Sequence, residues 1–424
     1  GRGDPDPGIG SELDRRRLRG VSRRLRPASR VVGLTVLLSG LLSGSVDGQQ
    51  ASWEAGVRPR TEARSAGEVD VFFTSMRTQV GLRAALSTDL RLFVQVQDAR
   101  FWGGTRNFDQ SADALDLFRG SFELGHRGES VLWTRVGRQT LDYANGRLVG
   151  DPEWSQFGRS FDGVRTTVRI GEGTLLDGFG MQLRESFVAG DRGEATLWGI
   201  WGAHAFPGGR SLQLFWIRDQ DAGEPDTARN TFGLYHDGSL GPLVLRVEGA
   251  WQTGQAQELE LRDAYLIAGA LTLPLPQRRG QLAVGYDRYS GAANPEEGST
   301  QAFSDLFGRN HRFLGFADIF FDVPRNTGGQ GLQDFRVQLR WGVPWEGLVG
   351  LAVHHFRVAD AGAIDSGRLA DEVDLTLNWP GLMDGTFGVL GGVSWAGLGG
   401  AGKALNIAPG DIFFGYLMVE AAVF

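Results

Sequence analysis

The stretch LRLFVQVQ, residues 90–97, decides the fold class: Leu90, Leu92, Val94 and Val96 fall on one parity, and Arg91, Gln95 and Gln97 on the other. Alternation at period two belongs to a β-strand with one apolar and one wet face. A tilted strand needs about ten residues to cross a bilayer, so a segment of this size with lipid on one side and water on the other is a spanning strand. Comparable segments lie at 69–85, 114–124, 130–140, 161–170, 175–187, 195–205, 210–219, 229–238, 242–251 and 259–273. Others follow at 280–288, 311–320, 331–341, 348–359, 370–380, 385–397 and 411–424, bringing the expected count to 18. Without helical interruption, this is an all-β, transmembrane, antiparallel up-and-down β-barrel in a bacterial outer membrane. Closure is the all-β way to satisfy every backbone N–H and C=O in hydrocarbon.

The rest of the composition agrees. No apolar run reaches the ~18 residues of a spanning helix, and the mean hydropathy is negative. The 424 residues include 64 Gly, 12 Trp and 26 Phe, which suits turns, bent strands and aromatic girdles better than a Gly-rich disordered chain. One barrel domain is expected over 69–424, preceded by a short lead-in at 49–68. Connections divide into tight ones, at 171–173, 207–209 and 237–241, and long ones at 103–113, 141–160, 220–228, 289–310 and 398–410. Their alternation breaks near 289–310; a miscounted strand, a long periplasmic loop or an extra strand within Trp53–Arg64 would each account for it. The last segment, DIFFGYLMVEAAVF, ends in Phe with Phe414, Tyr416, Met418 and Ala422 on the same parity. It resembles the C-terminal signature of outer-membrane barrels, with Glu420 as a departure expected to sit near the membrane interface.

At the other end, arginines between residues 15 and 30 precede an uncharged apolar block from Val31 to Val46. This reads as a secretory signal within residues 1–48, cleaved after Val46 and Gly48, with a short membrane anchor as the alternative. Its removal takes away nine Arg and five acidic residues and lowers the formal net charge from −7 to about −11. With no Cys there are no disulfides or thiolate metal sites. Of 43 basic residues only Lys403 is Lys; a GC-rich genome explains this, and so would a lumen that grips carboxylates with guanidinium forks.

The densest polar cassette is GRQTLDYANGRLVGDPEWSQFGRSFDGVR, residues 137–165, holding Arg138, Arg147, Asp151, Trp154, Arg159, Asp162 and Arg165. It is either a solvated outer loop or a loop folded into the lumen and pinned there by charge-assisted hydrogen bonds. This cassette resembles the signature stretch of the alginate-export family of outer-membrane porins. A second signature is matched in residues 303–341 by Phe303, Leu306, Phe307, His311, Gly315, Asp318, Gly331, Leu332 and Asp334, and EVDLTLNWP at 372–380 resembles a third. The resemblance implies an 18-stranded barrel whose loop-constricted, Arg-lined lumen passes an anionic polysaccharide outward. It points to Arg138, Arg147, Arg159 and Arg165, with Asp151 and Asp162, as shaping the constriction. Trp154, His311 and Asp318 belong to the same expected pore site. Independently of that resemblance, a confined ring of positive charge concentrates polyanions and repels cations, and interspersed carboxylates keep binding weak enough for release.

Enzymatic readings fare worse. The six His (126, 204, 236, 311, 354, 355) show no metal-binding spacing. His354 and His355 are adjacent and would point to opposite faces of a strand. No GxSxG motif appears, and His311 with Asp318 reads as a structural hydrogen bond. Scattered arginines on an acidic chain also argue against nucleic acid. The expectation is therefore a passive channel without cofactor, metal or catalytic residue, for an anionic polysaccharide or carboxylated solute. Its surroundings would be outer-membrane lipid, and export would add a periplasmic scaffold and an inner-membrane synthase. The loops at 141–160 and 289–310 would serve as plugs or gates. The alternatives are a general or small-substrate uptake porin of the same fold, and a structural or adhesive barrel with a blocked lumen.

Overall fold

The computed structural model describes residues 51–102, 115–184, 194–223, 226–275, 279–364, 367–382 and 385–423. The expected signal segment, the whole 103–113 loop and the terminal Phe424 lie outside them. The strands are β1 (Ala51–Ala66), β2 (Val69–Ala85), β3 (Leu90–Phe101), β4 (Asp116–Leu124), β5 (Leu132–Gln139), β6 (Phe161–Arg169), β7 (Thr174–Arg184), β8 (Ala195–Phe206) and β9 (Arg210–Asp221). They continue as β10 (Thr227–Leu240), β11 (Leu243–Ala256), β12 (Leu259–Leu275), β13 (Gly280–Tyr289), β14 (Ser299–Thr300), β15 (Leu332–Gly342), β16 (Leu348–Val358), β17 (Arg368–Leu382), β18 (Phe387–Leu398) and β19 (Ile412–Val423). Among the described residues three single-turn helices, α1 (Asn310–Phe313), α2 (Val323–Asn326) and α3 (Gly400–Ala404), lie in the loops.

Eighteen long strands pair antiparallel with their neighbours, and β19 closes onto β1 from Ala66↔Ile412 to Ala55↔Val423. The two-residue β14 only adds a parallel bridge to β12. Every long strand therefore has partners on both sides, as spanning hydrocarbon demands. The count of 18 is met by two offsetting errors in the sequence reading. Ala51–Ala66, expected as a lead-in, is β1, so the barrel starts before Val69. Residues 311–320, expected as a strand, form α1 and loop instead, with Leu314, Ala317, Ile319 and Phe320 buried.

With that correction every connection longer than seven residues falls at one end of the barrel, an end that also has two-residue turns at 67–68 and 257–258. One end of the barrel carries short turns, such as Gly241–Pro242 between β10 and β11, and the other carries the long connections at 140–160, 290–331 and 399–411. Long loops belong outside and short turns in the periplasm. Outward-facing parity is mainly apolar, including Val94's neighbours Val80 and Phe122 and, further on, Trp198, Ile200, Trp251, Val337, Val353 and Trp395, all exposed. On β19 the outward residues are Phe413 and Leu417, whereas Phe414, Tyr416 and Met418 are buried inside. Glu420 shares their parity, so its charge lies in the lumen, 3.6 Å from Arg58, and not at the lipid interface.

The inner wall is of two kinds. From β7 to β17 it carries an apolar patch, with Phe179, Leu197, Trp201, Phe215, Leu266 and Phe356 buried against loop residues Leu141, Leu148, Val149, Phe303, Leu314 and Phe320, interspersed with buried Asp177, Glu248, Asp287, Asp334 and Glu372. Apolar surface facing a water-filled lumen is unstable unless covered. The two long loops provide the cover. Along β1 to β4 the wall is polar, with Arg58, Arg60, Gln95 and Gln97 turned inward and little packed on them except the loop tip at 153–157.

Candidate functional site

The two signature stretches, some 150 residues apart in sequence, build one body inside the barrel. Val149 forms an isolated parallel bridge with Phe307. Gly146, Leu148, Gly150, Phe307 and Arg309 exchange backbone hydrogen bonds across the contact, among them Gly150 N–H to the Phe307 carbonyl at 3.1 Å and Arg309 N–H to the Gly146 carbonyl at 3.0 Å. The approach requires glycine: a Cβ at Gly308 would lie 2.0 Å from the Arg147 carbonyl oxygen. The Arg309 guanidinium reaches back to Asp142 and, at 3.1 Å, to Glu153. The cassette at 137–165 is thus a folded lumenal plug rather than a solvated loop.

Arg147 is its main anchor. The side chain is shut off from solvent; Nε donates to Glu248 at 3.1 Å, and Nη1 to Asp287 at 2.7 Å and the Tyr289 hydroxyl at 3.0 Å. Phe313 covers its face at 4.1 Å. Arg165 on β6 is likewise buried, forked onto Asp177 and stacked 4.5 Å from Tyr143 of the plug. Both arginines were expected to shape the constriction; they are placed as paired, buried anchors and offer no free charge to a solute.

Arg138 and Asp162 do not belong to the lumen. They are cross-strand partners on β5 and β6, 2.7 Å apart, on the parity shared with exposed Val136 and Val164. The strand period explains the correction: Arg165 and Asp162 are an odd number of positions apart, so only one of them can face inward.

Asp151, Trp154, Arg159, His311 and Asp318 do come together, around a cavity of 1160 Å³. Trp154 stacks on the His311 ring at 4.1 Å, and the Arg60 guanidinium covers Trp154 at 3.9 Å. His311 Nδ1 lies 2.7 Å from Asp318 Oδ1, the structural hydrogen bond expected from sequence. Arg159 donates to the Phe307 and Gly150 carbonyls. Burial raises the Asp151 carboxyl above its ordinary value, opposed by a bond to the Arg159 backbone and by Arg119, Arg77 and Arg309.

Seven arginines line this cavity (58, 77, 119, 159, 309, 312 and 340) against four carboxylates, Asp151, Glu153, Asp318 and Glu420. A second cavity of 330 Å³ is lined by the short-turn halves of β10 to β13 and β15, with Arg147, Arg246 and Arg336 among its residues. Arg312 and Arg340 line both cavities. Both are exposed to the lumen, and among the described residues neither guanidinium has a hydrogen bond or ion pair. Sequence reasoning missed these two and also Arg58, Arg77 and Arg119. Arg77 and Arg340 sit on the wet parity of recognised strands, which was the available signal; Arg58 lay in the unrecognised β1, and Arg312 in a segment read as a strand.

Among the described residues no cluster of His or carboxylates has metal-ligand geometry. His354 and His355 do face opposite ways, toward buried Asp334 at 3.0 Å and outward Asp371 at 2.5 Å.

Comparison with known proteins gives three findings. The sequence model of a family described as alginate export matches residues 49–378. Among curated proteins no sequence match was found. Solved structures similar to this chain include Pseudomonas aeruginosa OccK11 (OpdR), with 14% identity, a TM-score of 0.61, and 88% of this chain and 96% of that one covered. Acinetobacter baumannii OccAB4 follows with 13% identity, a TM-score of 0.60, and 88% and 98% covered. Pseudomonas aeruginosa OpdK, solved with vanillate, has 12% identity, a TM-score of 0.59, and 88% and 98% covered.

Proposed function

This chain belongs to the alginate export family of outer-membrane barrels, and from that premise we propose that its channel passes anionic, carboxylate-bearing solutes by passive diffusion. The observation that carries the reading is the pair Arg312 and Arg340, two exposed guanidiniums with no counter-charge among the described residues, where the two cavities share a wall. Other lumenal arginines are tied to the protein: Arg147 by Asp287 and Glu248, Arg309 by Asp142 and Glu153, and Arg159 by the Phe307 and Gly150 carbonyls. A cation left unpaired inside a low-dielectric wall attracts a mobile anion most strongly there. The neighbouring carboxylates Asp318 and Glu420 limit the depth of the well, so a solute can leave.

Export of an anionic polysaccharide is the finer form of this proposal, and it requires a synthase and a periplasmic scaffold to deliver the polymer. Uptake of small carboxylates is the second reading. It is favoured by how far the plug fills the barrel and by the similar fold of a porin solved with vanillate, a small aromatic carboxylate.

Single-channel recording of the refolded protein separates them. Anion selectivity with current block by added polyuronate supports polymer passage. Anion selectivity with saturation by small carboxylates and indifference to polyuronate supports uptake, and an unselective current rejects both.

A further inference from the structure

The outward surface of β13 to β17 carries a row of cations that the lumen does not use. Arg288, Gln333, Arg357 and Arg368 are successive cross-strand partners on β13, β15, β16 and β17. Adjacent strands are about 4.8 Å apart, so the row spans about 14 Å along the rim at the long-loop end. Arg288 is positioned by the Tyr265 hydroxyl at 2.9 Å and the Ala359 carbonyl at 3.3 Å. Arg368 donates to Asp371 at 2.5 Å, and His355 lies 2.5 Å from the same carboxylate. The exposed Arg357 guanidinium, between them, has no ion pair among the described residues. Asp360 stands near Arg288, but its carboxylate is occupied by the backbone N–H groups of Ala293 and Gly362, at 3.0 and 3.1 Å.

Below this row, toward mid-membrane, the same strands expose Val284, Phe335, Val337, Leu351, Val353, Val373 and Leu375. Tyr286 packs on Phe335 at 4.6 Å where the two zones meet. The surface is therefore cationic over apolar, the complement of an anionic headgroup over acyl chains. At the same height elsewhere the outward arginines are balanced or solitary: Arg100 pairs with Asp98 at 2.6 Å, Arg138 with Asp162 at 2.7 Å, and Arg218 contacts Asn230 at 3.4 Å.

We infer that Arg288, Arg357 and Arg368 form a docking site on the outer rim for a phosphate-bearing glycolipid of the outer leaflet. Guanidinium forks suit phosphate oxygens better than ammonium groups do. A row about 14 Å long can hold two phosphates of one headgroup at once.

The test is native mass spectrometry of the full chain in detergent, titrated with a bis-phosphorylated glucosamine glycolipid, its dephosphorylated counterpart, or inorganic phosphate. Correct folding of each variant is checked by heat-modifiable migration and unchanged conductance. Wild type and Arg218→Gln should retain the bis-phosphorylated lipid, while the triple variant Arg288→Gln, Arg357→Gln, Arg368→Gln should bind it at least about tenfold more weakly. The proposal is overturned by equal retention in the triple variant, or by equal binding of the dephosphorylated lipid to wild type. Displacement of the lipid by an equal concentration of inorganic phosphate would also overturn it, because the row would then be a site for a free anion.

Discussion

Arg147, carried by a loop, and Asp287, on the wall strand β13, form an ion pair of 2.7 Å with both side chains closed to solvent. The pair is 140 residues apart in sequence and fastens the plug to the barrel. Burying two charges is costly, and the contact is sustained because Glu248, Tyr289 and Arg336 complete the network.

Arg147→Ala should release the plug while leaving the barrel closed. Removing one partner of a buried pair costs about 3–5 kcal/mol; Asp287 keeps Arg336 at 2.6 Å, so the lower end is expected, with Glu248 bearing the loss. Limited proteolysis should then cut within 141–160, and open-channel conductance should rise. Arg147→Lys, a point charge unable to reach Glu248 and Asp287 together, should fall between. A variant as protease-resistant and as narrow as wild type would remove Arg147 from the role of anchor.

The plug should also loosen as pH rises. Asp305, buried in the 290–331 loop, accepts from Asn310 and faces the Val323 N–H at 3.5 Å; burial, aided by the charge of Asp322, pushes its carboxyl up to about 6. The docked carboxyl is neutral where the free one is ionised. Its contribution is fully present below the free value near 4 and is lost as pH climbs through about 6, at most roughly 3 kcal/mol. Hydrogen exchange over 303–327 should accelerate between pH 5 and pH 8 beyond its intrinsic pH dependence. Asp305→Asn should flatten that excess; an excess persisting in the variant would assign it to another group.

Selectivity should depend on Arg312 and Arg340 more than on any paired arginine. Neither has a counter-charge among the described residues and lumen water screens each only in part, so Arg340→Gln should lower the anion-to-cation permeability ratio by on the order of threefold. The effect should shrink in molar salt as the Debye length falls to about 3 Å. Reversal potentials across a salt gradient measure both, and a ratio unchanged at low salt would take Arg340 out of the filter.

How far this architecture was legible follows from what the alternation can encode. LRLFVQVQ and its counterparts report a lipid face and a water face directly, so β2 to β13 and β15 to β19 were visible. β1 was not, because its outward parity runs Trp53, Ala55, Val57, Pro59, Thr61, Ala63, Ser65, mostly small or polar, with a Pro in the middle. The ladder to β19 accommodates that Pro: it skips Arg58 and Pro59, where the missing N–H would have been needed. Conversely, HRFLGFADIF looked like a strand because apolar residues seek protein interior as readily as lipid, and the segment buries them against Phe356. The cassette at 137–165 was recognisable as a unit. Which of its arginines are anchors was not, since Asp287 and Glu248 enter only through the tertiary fold.

The outward placement of Arg138 and Asp162 gives the sharpest contrast with the sequence reading. Had they lined the constriction, replacing either would change ion selectivity. Facing out beside Val136 and Val164 on adjacent strands, they form a partly exposed pair worth at most about 1 kcal/mol to stability. Arg138→Ala and Asp162→Ala should therefore leave conductance, reversal potential and polyuronate block at wild-type values, and the double variant should differ little from either single one. Arg159→Ala, only 21 residues along the chain from Arg138 but donating to the Phe307 carbonyl in the cavity wall, should disturb all three. A selectivity shift in Arg138→Ala as large as that in Arg159→Ala would mean that β5 presents the opposite face to the lumen, and the register of β5 against β6 would have to move by one residue.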